Sequence, residues 1–333
     1  MEYFLLQKLF DGNIDAKNYL TSESLERALI EDARSSSHPL TLNIETTAEA
    51  QEILDQLTAD KGAALLRMFE TVVGEKTFQK GVQSYLQTHA NGNANYTDFW
   101  DAIDNAIGGK LKAWDGNKFK MEEFADNWVL QMGYPVVDVY RLDPKTIELT
   151  QRRFKLDHLT PERARYRNAL YWYKWDVPLF YEINGKKADM TWLHEAVRLP
   201  LNLSDTLLIN PESLGYYRVN YDEQGWLAFA DQLKKDHQKY PPSARARLIS
   251  DALALAEAGL LPYEQAFGIV EYLPQETDSL PWAIALRGLR NLYERLSRSE
   301  LEEDAQKFVV EKMAEIFKSL DLDNLSAPSE GQF

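Results

Sequence analysis

Leu57–Phe69 reads LTADKGAALLRMF, and the fold turns on what this stretch is taken to be. Asp60-Lys61-Gly62-Ala63 reads as the opening of an apolar helix, with Ala63, Leu66, Met68 and Phe69 as its core-facing positions. Alone, it predicts one helix and no chemistry. Its surroundings are helical too, and residues 1–134 read as an all-α segment. Ser22 and Ser24 stand as caps ahead of Leu25, Ala28, Leu29 and Ala33, and a polar SSSHP break follows at Ser35–Pro39. Thr46 and Thr47 precede a helix over Ala48–Leu57, and another is expected over Thr77–Thr88. Thr97 is placed to cap TDFWDAIDNAI, and MEEFADNWVLQMG forms the last helix, with Phe124, Trp128 and Met132 on one face and Gly133 as its stop.

At Pro135 the period becomes strand-like. VVDVYRL, KTIELTQRRF, LYWYKWDVPLFYEI, DMTWLHEAV and SDTLLIN are short β-branched and aromatic runs separated by turn residues, and GYYRVNYD at Gly215–Asp222 closes the series. Asn184-Gly185 is the strongest hairpin signal in the chain. These residues, 135–222, predict a small antiparallel β-sandwich. From Glu223 helices resume in successive hairpins to about residue 320, as in the opening of an α-solenoid, and 321–333 reads as a disordered tail. The predicted class is multidomain α+β: an all-α segment, a β-sandwich and a solenoid-like helical segment.

Composition narrows function. The chain has 333 residues, 44% hydrophobic and 12% aromatic, enough for two or three domains with real cores. Its net charge of -15, from 37 basic and 52 acidic residues, argues against a nucleic-acid or anionic-membrane partner. With no cysteine, disulfides, thiolate metal sites and thiol catalysis are excluded. Sequons at Asn95, Asn202 and Asn324 carry little weight without a secretory signal. The opening MEYFLLQKLFDGN has no basic n-region or small-residue cleavage site, and no run approaches the ~18 apolar residues of a membrane span. The compartment stays open: the chain as written reads as cytoplasmic, and extracellular or membrane-attached if a longer parent exists.

Little in the chain carries chemistry by pattern. No two of His38, His89, His158, His194 and His237 lie four apart, so no helix presents two imidazoles to one zinc ion. His194-Glu195 begins HEAVR, with arginine where a zinc helix needs its second histidine, in strand territory, and reads as chance. There is no GxSxG, GxxxxGK[ST] or GxGxxG. Glu302-Glu303-Asp304 reads as a solvated face. Tyr171, Trp172, Tyr173 and Trp175, like Tyr216 and Tyr217, fit sandwich core better than a sugar or peptide platform.

In order, SSHPL (Ser36–Leu40), DKGAALLRMFE (Asp60–Glu70), WVLQMGYPVV (Trp128–Val137), GYYRVNYDE (Gly215–Glu223), RARLISDALALA (Arg245–Ala256) and Pro281-Trp282 resemble landmarks of the zinc aminopeptidases. That family includes aminopeptidase N and the puromycin-sensitive and endoplasmic-reticulum enzymes. The resemblance implies the back of a thermolysin-like catalytic domain over 1–134, then the sandwich, then the start of the C-terminal helical domain. MEYFLLQ resembles sequence just past the family's third zinc ligand, so all three ligands are expected before Met1, and no metal or cofactor is expected in this chain. Two residues before the Lys-Gly the family carries a catalytic tyrosine whose hydroxyl donates to the oxyanion; here that residue is Ala59.

From these two losses the resemblance implies a non-catalytic homologue acting as an interaction or scaffold protein, not an enzyme, with no catalytic residue of its own. The alternatives are a fragment of a working aminopeptidase or a module that binds peptides without cutting them. A protein or peptide partner is expected, and the N-terminal helices, lacking the zinc subdomain, predict self-association, against which a clean monomer in sedimentation at micromolar concentration would count.

Overall fold

The computed structural model describes residues 16–319. The MEYFLLQ stretch and the tail at 321–333 lie outside the described residues. The chain divides into two compact units, Glu23–Asp222 and Met1–Ser22 with Glu223–Phe333.

In the first unit the helices are α2 (Glu26–Asp32), α3 (Thr47–Ile53), α4 (Gln56–Val73), α5 (Glu75–Thr88), α6 (Tyr96–Ile107) and α7 (Met121–Val129). A π-helical turn, Leu20–Leu25, separates α2 from α1 (Ala16–Tyr19). Ser22 and Ser24 therefore do not cap: they sit inside helical backbone, and the Ser22 hydroxyl donates back to Tyr19 O. Thr46 does cap α3, accepting from Glu49 N–H at 3.2 Å. The expected helix over Ala48–Leu57 breaks at Leu54, because Asp55 turns extended and caps α4 through Thr58 N–H at 2.9 Å. Helix α4 thus begins four residues before Asp60. Its buried face is Leu57, Asp60, Lys61, Ala64, Leu65, Met68, Phe69, Val72 and Val73, while Leu66, expected in the core, is exposed.

Asn95, not Thr97, stands at the cap of α6, with the Asp98 carboxylate accepting from Asn95 N–H at 2.6 Å. Gly81 is where α5 meets α6: a Cβ there would lie 2.5 Å from Ile103 Cδ1, so only glycine lets the helices approach this closely. Phe69 packs edge-on against Trp100 and Phe124, at centroid distances of 5.7 and 5.2 Å, tying α4 to α6 and α7. Helix α7 stops at Val129, four residues before Gly133, and Phe124, Trp128 and Met132 are all buried.

The strands are β1 (Pro135–Asp143), β2 (Thr146–Arg153), β3 (Val177–Leu179), β4 (Tyr181–Ile183), β5 (Lys186–Lys187), β6 (Thr191–Leu193), β7 (Ala196–Pro200), β8 (Leu207–Ile209) and β9 (Arg218–Asn220). They form three small sheets, ordered β7-β2-β1-β9, β3-β6 and β5-β4-β8. The pairs are antiparallel except β1 with β9, so GYYRVNYD closes the series by adding a parallel edge strand. Asn184 and Gly185 both take left-handed backbone, φ 53° and 73°, as the two-residue turn between β4 and β5 requires. The aromatic run differs from expectation. Trp172 and Tyr173 have φ of 54° and 56°, which no strand accepts, so Leu170–Lys174 is turn; Trp175 is fully buried while Trp172 is 77% exposed.

The second unit holds α1 and the expected helices α8 (Glu223–Asp236), α9 (Pro242–Glu257), α10 (Tyr263–Val270), α11 (Ser279–Leu296) and α12 (Glu302–Ser319). Among the described residues no helix is long and apolar enough to cross a membrane. Helix α9 is buried along almost its whole length, charged groups included. Its Arg245 makes a bidentate pair with Glu276, at 2.7 and 2.8 Å, and also donates to Tyr240 O at 2.6 Å. Glu276 further accepts from Tyr272 OH, Thr277 N–H and Asp278 N–H. Burial pushes the Glu276 carboxyl up, but the Arg245 guanidinium and these hydrogen bonds outweigh it and hold the group below the usual glutamate range. A carboxyl lowered by folding contributes stability that is complete above its unfolded pKa and is lost as pH falls through the folded one. Thermal unfolding of this unit should therefore move to lower temperature below about pH 4.5, and Glu276→Gln should flatten that acid slope.

Candidate functional site

The motifs of the first unit converge on one buried carboxylate. Asp32 ends α2, on the same face as Ala28 and Leu29, and is fully buried. A negative charge is unfavourable at a helix C-terminus, so Asp32 needs donors from elsewhere. It has four. Lys61 Nζ from α4 lies 2.8 Å from Oδ2, Gly133 N–H donates to Oδ1 at 2.7 Å, Tyr216 OH donates to Oδ2 at 3.1 Å, and the Ser37 hydroxyl donates to Oδ1. Lys61 is equally saturated, for its ammonium also donates to Gly133 O at 3.2 Å and Gln131 O at 3.4 Å. Next to this cluster, Tyr134 OH donates to Leu29 O at 2.6 Å and accepts from Arg218 Nε at 3.1 Å.

Four sequence landmarks meet here: SSHPL through Ser37, DKG through Lys61, QMGYP through Gly133 and Tyr134, and GYYRVNY through Tyr216 and Arg218. Gly133 is required by geometry rather than as a helix stop. Its φ is 78°, and a Cβ would lie 2.8 Å from Arg153 Nε. Burial pushes Lys61 below the usual lysine range against the pull of Asp32, and pushes the Tyr216 phenol well up, with the Asp32 charge adding to the rise. Lys61 and Asp32 both have side chains with no solvent exposure. Such a cluster is a structural tie; nothing in it is accessible to a substrate.

Ala59 lies on the opposite, exposed side of α4, in its first turns. With Leu66 it forms part of a solvent-facing stripe. A methyl group offers no hydrogen-bond donor, so this position cannot perform the tyrosine's chemistry.

The five histidines are scattered. His38 lies within hydrogen-bond distance of Pro39 O and Asp55, His89 of Asn93 O, and His194 of Asp176, while His158 is exposed and His237 is buried beside Tyr272. His194 sits in the bend after β6 and stacks on Trp114. Among the described residues no three His, Cys, Asp or Glu side chains are grouped to hold a metal ion. The described residues therefore do not themselves form a zinc site. The sequence signals the charged tie only through Asp32, an acid on the apolar face at the end of a helix, where burial demands a partner.

Residues 1–128 match the peptidase family M1 domain, and residues 206–333 match the ERAP1-like C-terminal domain. Aminopeptidase-like protein AC3.5 of Caenorhabditis elegans is 40% identical over 331 residues, covering 99% of this chain and 30% of that protein. Aminopeptidase N of Haemonchus contortus is 34% identical over 311 residues, 92% of this chain and 32% of its own length. The human thyrotropin-releasing hormone-degrading ectoenzyme is 33% identical over 327 residues, 94% of this chain and 30% of its own. The chain thus spans about 30% of the length of these relatives.

These matches correct the expectation that the chain is not an enzyme. Its domains and its relatives are those of peptidase family M1 aminopeptidases. The physical reason is one of magnitude. One lost oxyanion donor costs about 2.7–4 kcal/mol, whereas enzymes lower barriers by about 8–23 kcal/mol, so an alanine where the resemblance implies the tyrosine is no proof of inactivity. A metal group missing from one segment likewise says nothing of the whole reaction. On its two domain matches, its relatives and its convergent landmarks, the chain belongs to the zinc aminopeptidase family, peptidase family M1.

Proposed function

We propose that this chain works as part of a zinc aminopeptidase that removes N-terminal residues from peptides. On this reading 1–134 is the back of the catalytic domain, 135–222 the β-sandwich, and 223–320 the opening of the C-terminal helical domain. The observation that carries it is the Asp32–Lys61 tie. Four family landmarks distant in sequence are drawn onto one buried charge pair, which orients α4 so that Ala59 faces outward. That surface is where the family's reaction would be met, with zinc supplying the Lewis acid and activated water. Ala59 stands at the catalytic tyrosine position and leaves the oxyanion one donor short, so turnover is slow rather than absent. The exposed stripe of Ala59 and Leu66 supports the expectation that this face packs against further protein.

The test is the polarity of cleavage. The protein isolated from its source, incubated with a free-amino peptide and its N-acetylated twin, should shorten only the former, one residue at a time, as read by mass spectrometry. Internal cleavage, or shortening of the acetylated peptide, would overturn the reading.

A further inference from the structure

A cavity of about 400 Å³ opens between the loop ahead of α7 and strand β6, and none of Asp32, Ala59, Lys61 or Tyr216 lines it. This volume is within the range of small-molecule sites. Part of its wall is aromatic, from Trp114, Phe119, Phe124 and Trp192, with Trp192 edge-on to Phe124 at 5.3 Å, and the rest is polar and charged. The loop is fastened to β6 by Trp192 Nε1, which donates to Lys112 O at 3.0 Å.

Set into this wall is Asp176, whose side chain is 19% exposed. Its carboxylate is held in place: Oδ1 lies 2.6 Å from His194 Nδ1, and the Asp176 N–H donates to Asn127 Oδ1 at 2.9 Å. The His194 ring lies flat on Trp114, 3.7 Å between centroids and 3° from parallel, which fixes the imidazole and with it the carboxylate. Among the described residues the second carboxylate oxygen of Asp176, Oδ2, has no hydrogen-bond partner. Asp115 and Glu123 also line the cavity, against Lys118 and Lys120, and Lys120 is already paired with Glu123 at 2.5 Å. The balance is acidic, and burial pushes the Asp176 carboxyl up against the opposing pull of His194.

We propose that this cavity binds an organic cation, a primary ammonium or guanidinium group on an apolar body. Asp176 Oδ2 takes the charged head, and the faces of Trp114 and Trp192 cover the body and add cation–π attraction. A carboxylate in an aromatic wall rejects anions by repulsion and neutral isosteres by leaving Asp176 unpaired. The site is independent of peptide cleavage, and its test reads binding alone.

The probe is benzylamine, titrated calorimetrically into the full 333-residue chain, with benzyl alcohol and benzoate as its neutral and anionic counterparts. Benzylamine should saturate one site with Kd of about 0.1–1 mM, benzyl alcohol should bind at least about tenfold more weakly, and benzoate not at all. Asp176→Asn should weaken benzylamine at least about tenfold, and Lys118→Ala, by removing a like charge, should tighten it about two- to fivefold. Wild-type affinity in Asp176→Asn, benzoate binding as well as benzylamine, or no saturation by about 10 mM would overturn the proposal. Should Asp176→Asn fail to fold, Lys118→Ala decides: unchanged or weaker affinity overturns the site, and a tighter one, which mere damage to the wall would not give, supports it.

Discussion

Replacing Ala59 with tyrosine should raise the rate of N-terminal residue release by about 10²–10³-fold. Ala59 stands two residues before Lys61, on the side of α4 facing away from the core. The Lys61 ammonium, anchored to Asp32 and to the carbonyls of Gln131 and Gly133, holds that turn of helix still. A phenol introduced at an exposed position needs no repacking, and its helix-propensity penalty relative to alanine is about 0.5 kcal/mol. If the proposed function holds and the family's geometry is kept, the new hydroxyl donates to an oxyanion otherwise short of one partner, an interaction made in the transition state and not with the bound substrate. The gain should therefore appear in kcat with KM little changed. Ala59→Phe supplies the same ring without the donor and should give no gain. Equal rates for the phenylalanine and tyrosine variants would separate ring packing from oxyanion support and sink the assignment of this position.

Lys61→Met should cost about 3–5 kcal/mol, the penalty for leaving a buried charge without its partner. Methionine keeps the length of the stem but donates nothing. Asp32 then keeps Gly133 N–H and the Ser37 and Tyr216 hydroxyls but loses its counter-charge, and the carbonyls of Gln131 and Gly133 lose their shared donor. For a unit of this size the loss lowers the melting temperature by about 6–20 °C. Asp32→Asn with Lys61→Met should recover at least about 1 kcal/mol of that loss, since no ion is then stranded. A single variant within about 1 kcal/mol of wild type would mean that the pair does not hold the four motifs together.

What the sequence discloses here depends on how local the cause is. The turn at Asn184-Gly185 was legible because its φ angles are demanded by two adjacent residues. The helix through Leu57–Phe69 was legible, but its start was not: Asp60 looks like an opening acid, while the cap is Asp55, and Asp60 instead meets Arg27 at 3.0 Å in the folded unit. The aromatic run at Tyr171–Trp175 has the composition of a strand, yet left-handed backbone at Trp172 and Tyr173 turns the chain so that Trp175 enters the core and Trp172 does not. Tertiary context overrides β-propensity there. The charged tie joins Asp32 to Gly133 and Tyr216, 101 and 184 positions away, beyond the reach of any local pattern. The cavity at Asp176 is of the same kind: His194 looked like chance, and in the HEAVR sense it is, but its packing against Trp114 and Asp176 comes from the meeting of a loop and two strand ends.

The most direct measurement of the central claim is zinc dependence in the protein as its source makes it. Release of the N-terminal residue from an aminoacyl amide is followed before chelation, after metal removal, and after stoichiometric zinc is returned. The account predicts slow release that vanishes with the metal and returns with zinc. Release indifferent to chelation, or none at any zinc level, would contradict it.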